Sequence, residues 1–311
     1  MKLSVIIPGY NTPNEWWERC LKSVLAALPE DGEIVCVDDG SKMRPEVSVR
    51  DSRITWIYLE QNVGQSKARN IALESAHGDY VTFVDSDDEV CDSVYEKCLG
   101  RMIVDGSDVA VFGCRPLWVK EGLCKEDVPN AGNCGVLGER KMRELFDGCL
   151  LEYVWNKIFR RDFLIQNNIV FKEDICPGED TIFVLECIKA KARWTAVDVV
   201  GYVYYRYSGS SLSRYLPTYG EAMKLKAALW REVYSGVMPD CTEAYQEAML
   251  WDNIWRKGSP YSFREKCAYG KAHGQSVVKM LVKRLIKRFA YTRQLRRYKI
   301  KKMFPTVMEV K

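Results

Sequence analysis

Three carboxylates fall within four positions, Asp85, Asp87 and Asp88, directly after the β-prone run Tyr80-Val-Thr-Phe-Val84. A buried strand that ends in acids delivers them to the carboxyl edge of a sheet, where open α/β folds bind ligands. Carboxylates crowded there repel one another unless something positive lies among them. A hard divalent cation that itself holds phosphate oxygens meets that need. The competing reading is a polar turn in which Asp88 or Asp92 caps the next helix, and that turn needs only one acid.

The elements that must position these acids are legible on either side of them. Leu3 to Ile7 reads as a buried strand ended by Pro8-Gly9. Thr12-Pro-Asn-Glu15 then opens a helix, with Thr12 as cap and Glu15 placed to close a capping box. Trp17, Leu21, Val24 and Leu28 recur at helical spacing on its inner face. Glu33 to Val37 is a second strand with Asp38-Asp-Gly-Ser41 at its exit, and Ile54 to Leu59 is a third. Asn62-Val-Gly-Gln-Ser66 leads into a helix over Lys67 to Ala76, which His77-Gly78 closes, with Gly78 suited to a left-handed position. Asp92 or Ser93 caps a further helix ending near Gly106, and Asp108 to Cys114 is the next strand. Pro116 to Gly138 lacks periodicity and reads as loop, Arg140 to Leu151 as helix. Pro177-Gly-Glu-Asp180 is a turn that starts a helix through Ala190, and Val197 to Tyr205 returns as strand. This alternation predicts an α/β fold with a mostly parallel, twisted sheet and helices on both faces. Beyond about Tyr215 the pattern is helical, which divides the chain into a sheet domain, 1–215, and a helical extension, 216–311.

Composition bounds the setting. The chain has 311 residues, 47% hydrophobic and 28% charged, ordinary values for a globular protein, and no apolar run long enough to cross a bilayer. Its N-terminus carries one lysine and a short apolar run ending in proline, which reads as a first strand and not as a secretion signal. The 12 cysteines form no Cys-x-x-Cys pair, and only His77 and His273 accompany them, so no zinc spacing exists. Cys36 and Cys98 stand where small apolar residues belong, consistent with reduced thiols in a cytoplasmic protein. Charge is unevenly divided. Residues 256–311 carry 17 Lys/Arg against 2 Glu, a net of +15, while residues 1–255 carry 29 against 40, a net of −11.

Six short motifs stand in sequence: Ile6-Ile-Pro-Gly-Tyr-Asn11, Val37-Asp-Asp-Gly-Ser41, Asn62-Val-Gly-Gln-Ser-Lys-Ala-Arg-Asn70, Val84-Asp-Ser-Asp-Asp88, Trp155-Asn-Lys157 and Gly178-Glu-Asp180. In that order they resemble family 2 glycosyltransferases, inverting enzymes of the GT-A fold, over roughly residues 1 to 215. Any one alone is a weak signal; six with sensible spacing are strong. The resemblance implies that Pro8, Gly9 and Tyr10 flank the donor's nucleobase and that Asp39 accepts from the base edge. It also puts Arg69 and Asn70 in a segment that closes around the donor, with Gly64 among the donor-binding residues, although Arg69 alone would read equally as a solvated helix residue. Asp85, Ser86 and Asp87 resemble the DXD element, with Asp87 as metal ligand and Asp85 near the ribose or the metal's water shell. Magnesium or manganese suits such oxygen-only ligation, the leaving group being a nucleoside diphosphate.

Asp180 resembles the catalytic base, which inversion requires on the face opposite the departing diphosphate. A helix-capping role for Glu179 or Asp180 is compatible with it. Glu179, Trp155 and Lys157 are expected on the acceptor side, with a buried core tryptophan as the alternative for Trp155. Arg206, after the last strand, is a candidate to reach the diphosphate.

The implied reaction moves a sugar from a nucleotide-diphosphate sugar, UDP-linked by preference, to a hydroxyl of a glycan or lipid-linked glycan. Val278, Val282, Leu285 and Phe289 share one face of a basic helix. Residues 277–302 are therefore expected at an anionic membrane surface on the cytoplasmic side, or packed on the catalytic domain. Nothing in the chain resembles a nucleic-acid recognition motif. A nucleotidyltransferase would want a glycine-rich basic loop after the first strand, which Pro8-Gly-Tyr-Asn11 lacks. A non-catalytic scaffold would lack the metal or base acid, and both are present.

Overall fold

The computed structural model describes residues 2–118, 123–124, 135–138, 142, 145, 150–151, 153–174, 178–206 and 264. The boundary expected near residue 215, the helical extension and the basic stretch 277–302 lie outside the described residues, Arg264 excepted.

Among the described residues, ten strands form one sheet. These are β1 (Leu3–Gly9), β2 (Glu33–Asp38), β3 (Ile54–Tyr58), β4 (Tyr80–Phe83), β5 (Glu89–Val90), β6 (Val109–Trp118), β7 (Leu123–Cys124), β8 (Gly135–Val136), β9 (Lys157–Arg160) and β10 (Trp194–Arg206). The main order is β3-β2-β1-β4-β9-β6-β10-β5. β3, β2, β1 and β4 run parallel, β9 is antiparallel to both β4 and β6, and β10 is parallel to β6. With a single reversed strand between them, β4, β6 and β10 point the same way. The carboxyl ends of β1, β2, β4 and β10 therefore share one edge, with the strand order reversing at β1.

The core is continuous across this sheet. β1 is buried along its whole length, and β2 after its first residue. Helix α1 (Asn14–Ala27) buries Trp17, Cys20, Leu21 and Val24, the face its spacing predicted. Helices α2 (Gln65–Ser75), α3 (Val94–Asp105), α4 (Arg161–Gln166) and α5 (Glu179–Lys189) complete the described helices of more than one turn. The described cysteines 20, 36, 98, 114 and 187 are buried free thiols, as their positions suggested, and Cys91 is half-buried.

Several local expectations change. Thr12 does not cap α1: its hydroxyl pairs with Ser86 Oγ at 2.8 Å, and the helix begins on Pro13 with no side-chain cap. Gly78 is not left-handed; a Cβ there would lie 2.6 Å from Ser4 N, so glycine serves a close approach to β1. Gly106 does hold the left-handed position that ends α3, at φ 58°. β6 runs on through Pro116 to Trp118, where loop was expected. The reversed strand β9 and helix α4 follow one another directly, and the basic residues at both ends of Lys157-Ile-Phe-Arg160 conceal a strand that is buried at three of four positions.

At the end of β1 the backbone has no spare room. A Cβ on Gly9 would lie 2.3 Å from the ring of Trp17, which is fully buried, and 2.9 Å from Ser86 Oγ. Gly9→Ala is expected to lower stability by about 1–3 kcal/mol through overpacking, read as a fall in Tm on thermal unfolding.

Candidate active site

Each loop at this edge is tied to another. Asn11, at φ 51°, accepts from Lys42 N–H through its side chain at 3.0 Å, and its own N–H donates to Ser41 Oγ at 2.7 Å. The Ser41 hydroxyl in turn donates to Asp38. Asp39 is 3% exposed and accepts from Val63 N–H at 2.7 Å, Gly64 N–H at 3.0 Å and the Asn62 amide at 2.8 Å. It thereby holds the loop that enters α2, where Gly64 adopts φ 92°. Burial raises the Asp39 carboxyl above its ordinary range, against the pull of the Val63 and Gly64 amides.

The centre of the edge is one guanidinium. Arg69, on α2, is 1% exposed, and it reaches Asp180 at 2.6 Å, Asp85 at 3.0 Å and Glu179 at 3.6 Å. An unpaired cation could not persist at that depth; three carboxylates make it tenable. Burial works against its charge, but Asp180, Asp85 and Glu179 outweigh burial and hold it protonated more firmly than usual. Burial pushes Asp85 up, and Arg69 pulls it back. Glu179 is likewise raised by burial and then by Asp180.

Packing brings the base candidate to the acid turn. Phe183, one turn after Asp180, packs edge-on to Phe83 with ring centroids 5.7 Å apart and stacks on Phe171 at 4.3 Å. Phe83 ends β4, two residues before Asp85. The Asn70 side chain fixes Phe171 in place, donating to its carbonyl and accepting from its N–H, both at 2.9 Å. Neighbours on α2 thus have separate tasks: Asn70 clamps the segment that seats α5, and Arg69 joins the acids.

The turn Asp85–Asp88 is closed by Asp88 N–H donating to the Asp85 carbonyl at 3.0 Å. Asp88 is fully buried and accepts from the Tyr202 hydroxyl at 2.8 Å and Tyr205 N–H at 2.7 Å. Burial, then Asp87 and Asp85, push its carboxyl well up. Asp87 is half-buried, and its carboxyl is pushed up to about 6 by burial and by Asp85, against the pull of Arg19. Among the described residues no three His, Cys, Asp or Glu side chains gather closely enough to hold a metal ion by themselves. A half-buried carboxylate lifted by neighbouring negative charge fits a cation that takes few oxygens from the chain and the rest from a ligand.

Of the residues singled out in the sequence, Arg69, Asp85, Glu179 and Asp180 are joined by these contacts, Asp39 and Gly64 form a second pair, and Ser86 and Asp87 follow Asp85 in its turn. Pro8 and Gly9 are buried at the end of β1, and Tyr10 is 46% exposed beside them. Three expectations need correction. Ser86 is buried with its hydroxyl on Thr12, so it ties two loops together. Lys157 does not line an open acceptor side: it is fully buried, with Nζ donating to the carbonyls of Leu150, at 2.8 Å, and Tyr153. Trp155 is 3% exposed and stacked between Tyr153 at 4.8 Å and Tyr202 at 4.4 Å. The half-buried members of that aromatic stack are Tyr153 and Tyr204. Arg206 is the last residue of β10, and its side chain lies outside the described residues. Asp88, read in the sequence as a third acid or a helix cap, instead accepts from Tyr202 and Tyr205, two residues that sequence reading missed. Nothing local marks the tyrosines.

Arg69→Met keeps much of the volume and leaves Asp85, Glu179 and Asp180 together without their cation. The expected loss is on the order of 3 kcal/mol near neutral pH, measured by urea unfolding. The freed carboxyls then titrate higher in the folded state, so their cost is absent at low pH and grows as pH rises. The deficit of the variant should accordingly be smaller at about pH 5 than at about pH 7.5.

A family model described as glycosyl transferase family 2 matches residues 4–166, just over half of the chain. An uncharacterized glycosyltransferase of Bacillus subtilis, EpsJ, is 29% identical over 65% of this chain and 60% of its own length. YibD of Escherichia coli, also an uncharacterized glycosyltransferase, is 30% identical over 68% of this chain and 64% of its own. The matched part is thus less than two thirds of either relative. The crystal structure of Staphylococcus aureus TarS 1-349 in complex with UDP-GlcNAc superposes with a TM-score of 0.60, at 23% identity, covering 82% of this chain and 73% of that one. The order and direction of the strands are those of the GT-A fold, and the chain belongs to glycosyl transferase family 2.

Proposed function

We propose that the chain is a metal-dependent inverting glycosyltransferase. It moves a sugar from a nucleotide-diphosphate donor, UDP-linked by preference, to a hydroxyl of a glycan or lipid-linked glycan. The observation that carries this reading is the shared guanidinium. Through Arg69, Asp180 and Asp85 meet at one point of the sheet edge, 2.6 and 3.0 Å from its nitrogens. That is where a base facing a donor diphosphate across one sugar ring would have to stand. The fold neighbour crystallised with UDP-GlcNAc supports a UDP-linked donor.

In this reading Tyr10 offers its exposed ring to the nucleobase. Asp39 has already accepted three bonds, leaving about one acceptor position for a base N–H. Asp85 faces the donor while Arg69 holds it. Asp180 removes the proton of the acceptor hydroxyl as its oxygen attacks the anomeric carbon in line, and the nucleoside diphosphate leaves on the other side. Asp87 would hold a divalent cation, magnesium or manganese, and such a cation would supply charge neutralisation for that leaving group. The aromatic surface open to an acceptor sugar then belongs to Tyr153 and Tyr204, since Trp155 is enclosed by its neighbours.

Asp180→Asn is expected to bind UDP with manganese within about twofold of the wild type while transfer falls about 100- to 10,000-fold, the usual contribution of a general base. Asp87→Ala should show the reverse order of loss, with manganese-dependent UDP binding going first. Calorimetric titration with UDP and a UDP-release assay separate the two. Near-normal turnover by Asp180→Asn would remove Asp180 as the base.

The Asp87 carboxyl, at about 6, must be ionised to hold a cation. The fraction ionised falls about tenfold between pH 7 and pH 5 for such a group. Manganese-dependent UDP affinity should fall by about the same factor, and a flat profile across that range would exclude Asp87 as the metal ligand.

A further inference from the structure

We propose that Tyr202 is a positioning residue for the donor site: acting with Asp88, it sets the geometry of the Asp85–Asp88 turn without touching the donor. The proposal rests on the donor reading above and adds to it a device that lies 114 residues downstream of the acid it holds.

The Tyr202 hydroxyl has two partners, one for each of its roles. It accepts from Asp85 N–H at 3.0 Å and donates to Asp88 Oδ2 at 2.8 Å. Asp88 N–H donates back to the Asp85 carbonyl at 3.0 Å. One phenol thus grips both corners of a turn in which one of the two intervening residues, Asp87, is the proposed metal ligand. The phenol itself cannot swing, because Tyr202 is fully buried and its ring stacks on Trp155 at 4.4 Å and 14°. A hydroxyl fixed on a buried ring is a more exact reference point than a flexible side chain would be.

A second set of contacts repeats the attachment three residues along. Tyr205 N–H donates to Asp88 Oδ1 at 2.7 Å, and the Tyr205 hydroxyl donates to Glu89 at 2.9 Å. Arg19 lies over the Tyr205 ring at 3.9 Å, pairs with Glu89 at 2.9 Å and donates to the Asp87 carbonyl. β5 extends the same join, Val90 pairing with Tyr202 and Glu89 with Val203. The acid turn is therefore fastened on its downstream side to the last residues of β10, not only to β4 from which it springs. Without the hydroxyl, the Asp85 amide and one Asp88 oxygen lose their partner in a buried site, and the turn is free to relax.

Tyr202→Phe, which keeps the ring and its stacking, is the direct test. UDP affinity in the presence of manganese, measured by calorimetry, is expected to fall about fivefold to tenfold as the turn, freed of both bonds, relaxes. Amide hydrogen exchange across residues 84–89, measured on the metal-free protein by mass spectrometry, is expected to quicken. Asp88→Asn, which retains one acceptor oxygen, should lie between the two, and it serves as the test if Tyr202→Phe does not fold. Tyr95→Phe is the control: that tyrosine is as deeply buried, and its hydroxyl has no hydrogen-bond partner among the described residues. It should leave both readouts at wild-type values. Unchanged UDP affinity and unchanged exchange in Tyr202→Phe would overturn the proposal, as would equal changes in Tyr95→Phe. A wild-type protein that fails to bind UDP would defeat the donor reading, and the exchange comparison would still decide whether Tyr202 holds the turn.

Discussion

A cation in the protein interior is the constraint on which this edge of the molecule depends. Arg69 is removed from water yet carries its charge, and three carboxylates from two distant parts of the chain converge on it. The geometry is reciprocal. Asp85 and Asp180 would repel at such proximity, and the guanidinium between them turns repulsion into attachment. One positive charge does not neutralise three negative ones, however. Asp87 adds a further acid, lifted to about 6, so the edge retains an excess of negative charge that suits a bound cation.

The rest of the domain can be seen as the means of making that meeting happen. Aromatic rings do the coarse positioning: Phe83, Phe159, Phe171 and Phe183 form one interlocked cluster beneath the acids. Buried polar clamps do the fine positioning. Asn70 fixes Phe171, and Lys157 gathers the carbonyls of Leu150 and Tyr153, which places the turn carrying Trp155. Apolar packing tolerates small shifts of angle and distance, whereas a hydrogen bond to a backbone group selects one register. The division of labour explains why so many polar side chains here are buried without being parts of the reaction.

How much of this was legible depended on the range of the interaction. The parallel half of the sheet, β1 to β4 with α1 and α2, followed from apolar periodicity, because β1, β2 and β4 are buried on both faces and read as continuous apolar runs, while β3 at the edge keeps a short β-prone run. β9 did not, since an antiparallel strand of four residues with basic residues at both ends carries no local signature. Motif order brought Asp39, Arg69, Asp85, Asp87 and Asp180 to one edge correctly, but residue type misled where depth mattered. Lys157 was expected on the acceptor side and is a core strut; Trp155, for which a sugar platform and a buried core residue were both open, is the middle of a stack. Thr12 had the spacing of a helix cap and turned instead to Ser86, a partner 74 residues away. Such choices are settled by tertiary neighbours, which no window of sequence contains.

The long reach of these bonds has a consequence for what counts as the smallest working unit. Arg69 meets Asp180 across 111 positions, and Asp88 meets Tyr202 across 114. The stretch that the family model recognises stops at residue 166, short of Asp180, Tyr202 and Tyr205. A protein cut at that border would keep every acid of the turn and the buried arginine, but it would lose two of that arginine's three carboxylate partners and both tyrosines that hold Asp88. The recognisable module is therefore smaller than the physical one, which reaches at least to the residues of β10 that hold Asp88.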